Sequence, residues 1–204
     1  MADSTLQFDW VARIKQGLDA LFENDETVFV AGDHFWYPVE GRPDIRTAPD
    51  AMVIFGRPKG HRRSYRQWRE DGIAPQVVFE IWSYSNRPGD KKDKLEFYNR
   101  YGVEEFYAHD PRPRKQTMEG WLRQKGRLVK IEEMNGWVSP RLGVTFRRVE
   151  DEWNLYHPNG SPFEDYIDLH TAKEEATRIA EAERAAKEAA WAKLRELGID
   201  PEKL

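Results

Sequence analysis

Three side chains in this 204-residue chain stand in an order suited to phosphate chemistry: Asp50, Glu80 and Lys94. Glu80 interrupts the apolar run "QVVFEIW", Gln76 to Trp82. An ionised carboxylate inside such a run needs a partner, a metal or a shifted pKa. Asp50 leads into a second apolar run, "AMVIF", so neighbouring strands would bring both carboxylates to one sheet edge. Two close carboxylates repel unless a cation stands between them. Oxygen donors without cysteine or paired histidine point to a hard ion, Mg²⁺ or Mn²⁺, rather than zinc. The backbone carbonyl of Ile81 is a further ligand candidate. A nearby lysine can orient or help deprotonate a water while the metal polarises a phosphate. Lys91, Lys94, Leu95, Tyr98 and Tyr101 share one helical stripe, so Lys94 can point back toward the sheet, whereas Lys92 falls off that face.

The elements that must position these groups follow from hydrophobic period and punctuation. Trp10, Val11, Ile14, Leu18, Leu21 and Phe22 recur helically between about Leu6 and Glu23. A strand and a bend fit "NDETVFVAGDHFWYPVEG", and a strand from Ala51 to Phe55 lies between Pro49 and "GRP". After the Glu80 strand, "GDKKDKLEFYNRYG" reads as a helix stopped by Gly102, and "VEEFYAHDP" as a strand. Short β segments follow, with turns at Gly126, Asn135-Gly136 and Asn159-Gly160. From about Leu169 the composition shifts to Ala, Glu, Lys and Arg, which reads as one long helix. Its heptad seam through Leu169, Ala172, Ala176, Ile179, Ala186, Ala190 and Leu197 is broken by Glu183 and Lys193. That pattern suits a coiled-coil-like self-association into a homo-oligomer such as a dimer; a helix packed on its own domain is the alternative. The expected domains are therefore residues 1–168 and the helical extension 169–204.

Composition narrows the class. With 39% hydrophobic and 13% aromatic residues the chain is globular, and no apolar run is long enough for a membrane span. The first residues, "MADSTLQFDW", lack the basic start and apolar core of a secretory signal, so a cytoplasmic protein is expected. Absence of cysteine excludes disulfides and thiolate sites. A net charge of −4 does not announce nucleic-acid binding. The segment from Arg57 to Arg69, however, holds Arg57, Lys59, Arg62, Arg63, Arg66 and Arg69 with no acid. Arg62, Arg63 and Arg66 are candidates to contact phosphates and Trp68 to stack on a base. A solvated insertion balanced by Glu70 and Asp71 is the competing reading. Asp44, also preceded by Arg-Pro, rivals Asp50; Asp90 is placed to cap a helix; Glu23 is a candidate additional acid; His109-Asp110 reads as turn chemistry.

"APDAMVIFGRP", "PQVVFEIWSYSN" and "DKKDKLEFYNRYGVEEFYAHDP", in that order, resemble the Uma-type restriction endonucleases of the PD-(D/E)XK nuclease superfamily. The resemblance runs from Leu21 to about Pro158. It implies an α/β, restriction-endonuclease-like fold: a mixed β-sheet core flanked by helices, here with a long C-terminal helix. It further implies Mg²⁺-dependent hydrolysis of DNA, with Asp50 matching the family's "PD" aspartate, Glu80 the second acid, and Lys94 a lysine displaced from strand to helix. Trp82 stands two residues after the acid, where the superfamily's short form keeps its lysine. A catalytically inactive nuclease fold, acting as an interaction or nucleic-acid-binding protein through its C-terminal helix, is the alternative.

Overall fold

Ser4 opens the first helix, α1 (Thr5–Leu21), by accepting the Gln7 N–H on its hydroxyl at 3.2 Å. The computed structural model describes residues 4–164 and 166–196. After α1 come β1 (Val28–Gly32), the two-residue β2 (Trp36–Tyr37), β3 (Ala51–Phe55) and the two-residue β4 (Tyr65–Arg66). A single 3₁₀ turn, Gln67–Arg69, leads to β5 (Val77–Ile81), α2 (Asp90–Tyr101) and β6 (Glu105–Asp110). The remaining strands are β7 (Thr117–Gln124), β8 (Arg127–Lys130), β9 (Thr145–Val149) and β10 (Glu152–Tyr156), before the final helix α3 (Tyr166–Glu196).

The main sheet has the order β1-β3-β5-β6-β7-β8. Within this sheet β5 and β6 are the one parallel pair, so the chain must cross over between them, and α2 is that crossover. Every residue of β5 is buried because both faces are covered. Val77, Phe79 and Ile81 join Trp10, Ile14 and Leu18 of α1 in one core. Val78 and Trp82 join Tyr98, Trp36, Tyr65 and Phe106 in the other. The period-two alternation therefore turns Glu80 toward the α2 layer. On the α1 side the helix sits tight against Phe163, whose ring would lie 2.2 Å from any Cβ at position 17, so only glycine fits there. Gly102 ends α2 in the left-handed conformation (φ 96°), as its position in the sequence implies.

Some expected boundaries move. The Glu80 strand stops at Ile81: the Trp82 N–H still reaches His109 O at 2.7 Å, but Ser83 turns back, its N–H bonding Asn86 Oδ1 at 2.7 Å. Gly89, not Asp90, is the N-cap of α2; Asp90 is its first helical residue and accepts the Arg87 N–H at 2.8 Å. The turn between β9 and β10 uses Glu150 and Asp151 at φ 49° and 68°, a left-handed pair without the expected Gly or Asn signal. The chain divides into two compact units, Met1–Phe163 and Glu164–Leu204. In the second, α3 starts at Tyr166, and Ile179 on the expected seam is 52% exposed. Leu197, and the side chains of Leu169, Ala172 and Ala176, lie outside the described residues. Among the described residues no helix is long and apolar enough to cross a membrane.

Candidate active site

The site forms where the β3–β5 ladder ends. Pairing runs Val53↔Val77, Met52↔Val78 and Ala51↔Phe79. One step further sets Asp50 opposite Glu80 on the α2-facing side, and the next would set Pro49 opposite Ile81. Proline has no N–H to continue a ladder. Side chains satisfy the backbone of Ile81 instead: its N–H donates to Asp50 Oδ2 at 2.6 Å, and its carbonyl accepts from Gln7 Nε2 at 2.9 Å. The two acids are thus fixed by the register of adjacent strands, one of them tied to the backbone of the other's strand.

Glu80 is 5% exposed. Its Oε1 accepts from Lys94 Nζ at 2.7 Å and from the hydroxyl of Tyr98. Burial, reinforced by the charge of Glu80, pushes the Tyr98 phenol well above its ordinary pKa, so it stays protonated and donates. Lys94 Nζ also reaches Thr47 Oγ1 at 3.0 Å. Thr47 is held by reciprocal backbone bonds with Trp36, at 2.8 and 3.1 Å. The third contact of Lys94 Nζ, to the Ala48 carbonyl at 3.5 Å, is the longest, so the three N–H donors of the ammonium are all directed and the Ala48 one is the weakest held. Burial and then the neighbouring Glu80 charge push Asp50 up to about 7, against the opposing pull of the Ile81 N–H and Lys94.

Two carboxylates that repel in this way are suited to a cation. Asp50 Oδ1 and Glu80 Oε2 receive no hydrogen bond among the described residues, and both are hard oxygen donors. No group of three or more His, Cys, Asp or Glu side chains suited to a metal occurs among those residues. A pair of carboxylates supplemented by water fits Mg²⁺, which binds through one or two carboxylates and keeps several waters. The Ile81 carbonyl already accepts from Gln7, although a carbonyl has a second lone pair.

The other sequence candidates lie elsewhere. Asp44 is exposed and held bidentately by Arg42. Glu23 is exposed, and its backbone carbonyl accepts from Lys59. His109 is buried against Trp10, bonds Thr117 O at 2.9 Å, and is held by burial down to about 4. Trp82, 7% exposed, is a core residue rather than a site residue. The basic segment splits in two. Arg57 and Arg62 are engaged by Glu70, with Arg62 also 4.0 Å over the Phe29 ring and Arg57 paired with Asp71. Arg63, Arg66 and Arg69 are exposed and make no ion pair or hydrogen bond through their side chains among the described residues. Trp68 is half-buried in the 3₁₀ turn.

Three contributors carried little sequence signal. Tyr98 lies one helical turn beyond Lys94, so their shared stripe was the clue. Thr47 and Gln7 gave none: Gln7 meets Ile81 across 74 residues of chain.

No curated protein matches the chain. A solved structure, described as a "putative nuclease belonging to DUF820" from Anabaena variabilis ATCC 29413, is similar in fold. Identity is 13%, the TM-score is 0.50, and the match covers 69% of this chain and 74% of that one. The Uma2 family model, "Putative restriction endonuclease", matches residues 6–149. That span contains all but the first residue of α1, the six-stranded sheet and all three of Asp50, Glu80 and Lys94, and the chain belongs to the Uma2 family.

Proposed function

We propose that the chain is a divalent-metal-dependent endonuclease that hydrolyses DNA phosphodiester bonds. Asp50 and Glu80 would hold Mg²⁺ or Mn²⁺ through Oδ1 and Oε2. The bound ion would supply positive charge against the phosphate oxygens. Lys94, braced by Glu80 and Thr47, would turn the N–H that makes its long 3.5 Å contact with the Ala48 carbonyl onto the attacking water and hold it in line with the phosphorus. The water oxygen bonds to phosphorus as the bond to the leaving strand's oxygen breaks; a water proton passes to solvent, and the departing oxygen takes up a proton from solvent to leave as a hydroxyl. The observation that carries this reading is the 2.7 Å contact between Lys94 Nζ and Glu80 Oε1: the helix lysine reaches the sheet-edge acid that Trp82 cannot serve. Incubation of the purified protein with plasmid and single-stranded DNA in Mg²⁺ or Mn²⁺ tests it. Wild type is expected to cut and Glu80→Gln to lose at least about 100-fold in rate, since loss of even an outer partner of a metal ligand costs up to about that much. Equal cleavage by Glu80→Gln removes the mechanism.

The proposal includes self-association through α3. A long Ala-rich helix is marginal without a packing partner, and the described side chains from Thr177 to Ala190 are exposed. Light scattering is expected to give a dimer for the full chain and a monomer after truncation following His170. A monomeric full chain contradicts it.

A further inference from the structure

The two short strands β2 and β4 form a parallel ladder of their own, Trp36↔Tyr65 and Tyr37↔Arg66. Alternation gives that ladder two faces. Inward, Trp36 and Tyr65 are fully buried, and the Trp36 ring lies parallel to Tyr98 (3°, centroids 6.3 Å apart), the residue that holds Glu80. Outward, Tyr37 and Arg66 open onto a cleft of about 260 Å³ completed by Arg42, Pro43, Ser64 and Trp68. The cleft is thus the outer face of the same element whose inner face backs the catalytic acid.

Its chemistry is specific. Tyr37 and Trp68 supply two half-buried aromatic rings, and the volume falls below the roughly 300–1,000 Å³ of pockets that enclose whole drug-sized ligands. Arg66 on its rim, with Arg63 and Arg69 in the same segment, is exposed and makes no side-chain ion pair among the described residues. Arg42, by contrast, is already held by Asp44. Exposed guanidinium groups without acids beside aromatic faces complement a ligand that is flat, apolar on its faces and flanked by phosphates. A peptide segment would satisfy the rings but not the cluster of positive charge. We propose that this cleft seats one unpaired nucleobase of the substrate, stacked between the rings, with Arg66, Arg63 and Arg69 holding the adjoining phosphates. The inference rests on the reading of DNA as substrate and refines it: the enzyme favours strands with an unpaired base over perfect duplex.

The test uses the full chain in EDTA, which prevents cleavage, and fluorescence anisotropy with two labelled DNAs: a perfect duplex and the same duplex carrying one bulged base. Wild type is expected to bind the bulged DNA about tenfold more tightly, within the range one aromatic–base stack supplies. Trp68→Ala is expected to abolish that preference and Trp68→Phe to retain most of it. Arg66→Ala is expected to weaken both DNAs alike and flatten the salt dependence. A bulged base of 2-aminopurine is expected to lose fluorescence on binding wild type but not Trp68→Ala. Equal binding of the two DNAs by wild type, or a preference that survives in Trp68→Ala, overturns the proposal. Glu80-dependent cleavage without a bulge preference overturns the cleft alone. A Trp68-dependent preference alongside cleavage indifferent to Glu80 overturns the catalytic reading alone.

Discussion

Asp50→Asn is expected to lose measurable Mn²⁺ binding and cleavage while making the metal-free protein more stable at pH 8. The substitution keeps an oxygen for the Ile81 N–H, which Asp50 Oδ2 accepts at 2.6 Å, so the splayed end of the ladder keeps its bond. It removes the charge that burial and Glu80 disfavour. Because the folded-state value, about 7, exceeds the ordinary 3.8, the folded protein retains a proton that the unfolded chain releases. Stability attached to this group is therefore complete below about pH 4 and is lost as the pH rises toward 7. The difference corresponds to roughly 4 kcal/mol. Wild-type urea midpoints without metal should fall across that window, and those of Asp50→Asn should fall less. Mn²⁺ competes with the same proton, so its affinity for wild type should rise with pH and level off above 7. Calorimetric titrations at several pH values and parallel urea melts read all of this. An unchanged Mn²⁺ isotherm in Asp50→Asn contradicts the assignment.

Lys94→Met should separate catalysis from metal binding. Methionine keeps the aliphatic stem and removes the ammonium, leaving Glu80 with Tyr98 as its remaining donor. Turnover at saturating Mn²⁺ should drop by about 10²–10⁴-fold, the usual contribution of a positioned proton-transfer or water-orienting group. Metal binding should persist, but its pH midpoint should move upward, because a positive charge that lowered the pKa of Asp50 is gone. Since the Lys94 side chain is 27% exposed and that of Glu80 only 7%, the broken pair should also cost about 1–3 kcal/mol in a urea melt, less than a fully buried pair. Lys94→Arg keeps the charge in a planar fork and should recover stability better than rate. Cleavage within about twofold of wild type in Lys94→Met would falsify the role given to this residue; a 1.4 kcal/mol effect on the barrier already means tenfold.

What the sequence displayed was whatever depends on local period. The Ala51–Phe55 strand, the α2 stripe and its Gly102 stop are each written in a window of about a dozen residues, and each formed where expected. Asp50 and Glu80 share a face because β3 and β5 pair in one register, and Pro49 was already visible as the end of that ladder. What the sequence withheld depends on tertiary contact. The amide of Gln7 reaches Ile81 only because α1 lies across the sheet, and nothing around residue 7 distinguishes it from an exposed polar position. The β2–β4 pairing spans two residues on each side, too short for any alternation to register. The arginines of the basic segment carry identical local signals. Only the fold shows that Glu70 engages Arg57 and Arg62 and leaves Arg66 unpaired.

A lysine carried on the same strand as the acid would be inseparable from it without dissolving the sheet. Here the two charges belong to different elements, joined by the turn after Trp82 and held in register by the buried ring of Tyr98 and the hydroxyl of Thr47. Proteins open locally at free energies well below that of global unfolding. Opening of the twelve-residue α2 would carry Lys94 away from Glu80 while the six strands stay paired. Under the role proposed for Lys94, the fraction of molecules with the pair assembled is set by the docking free energy of one helix, and amide exchange along Asp90–Tyr101 is the quantity that measures it.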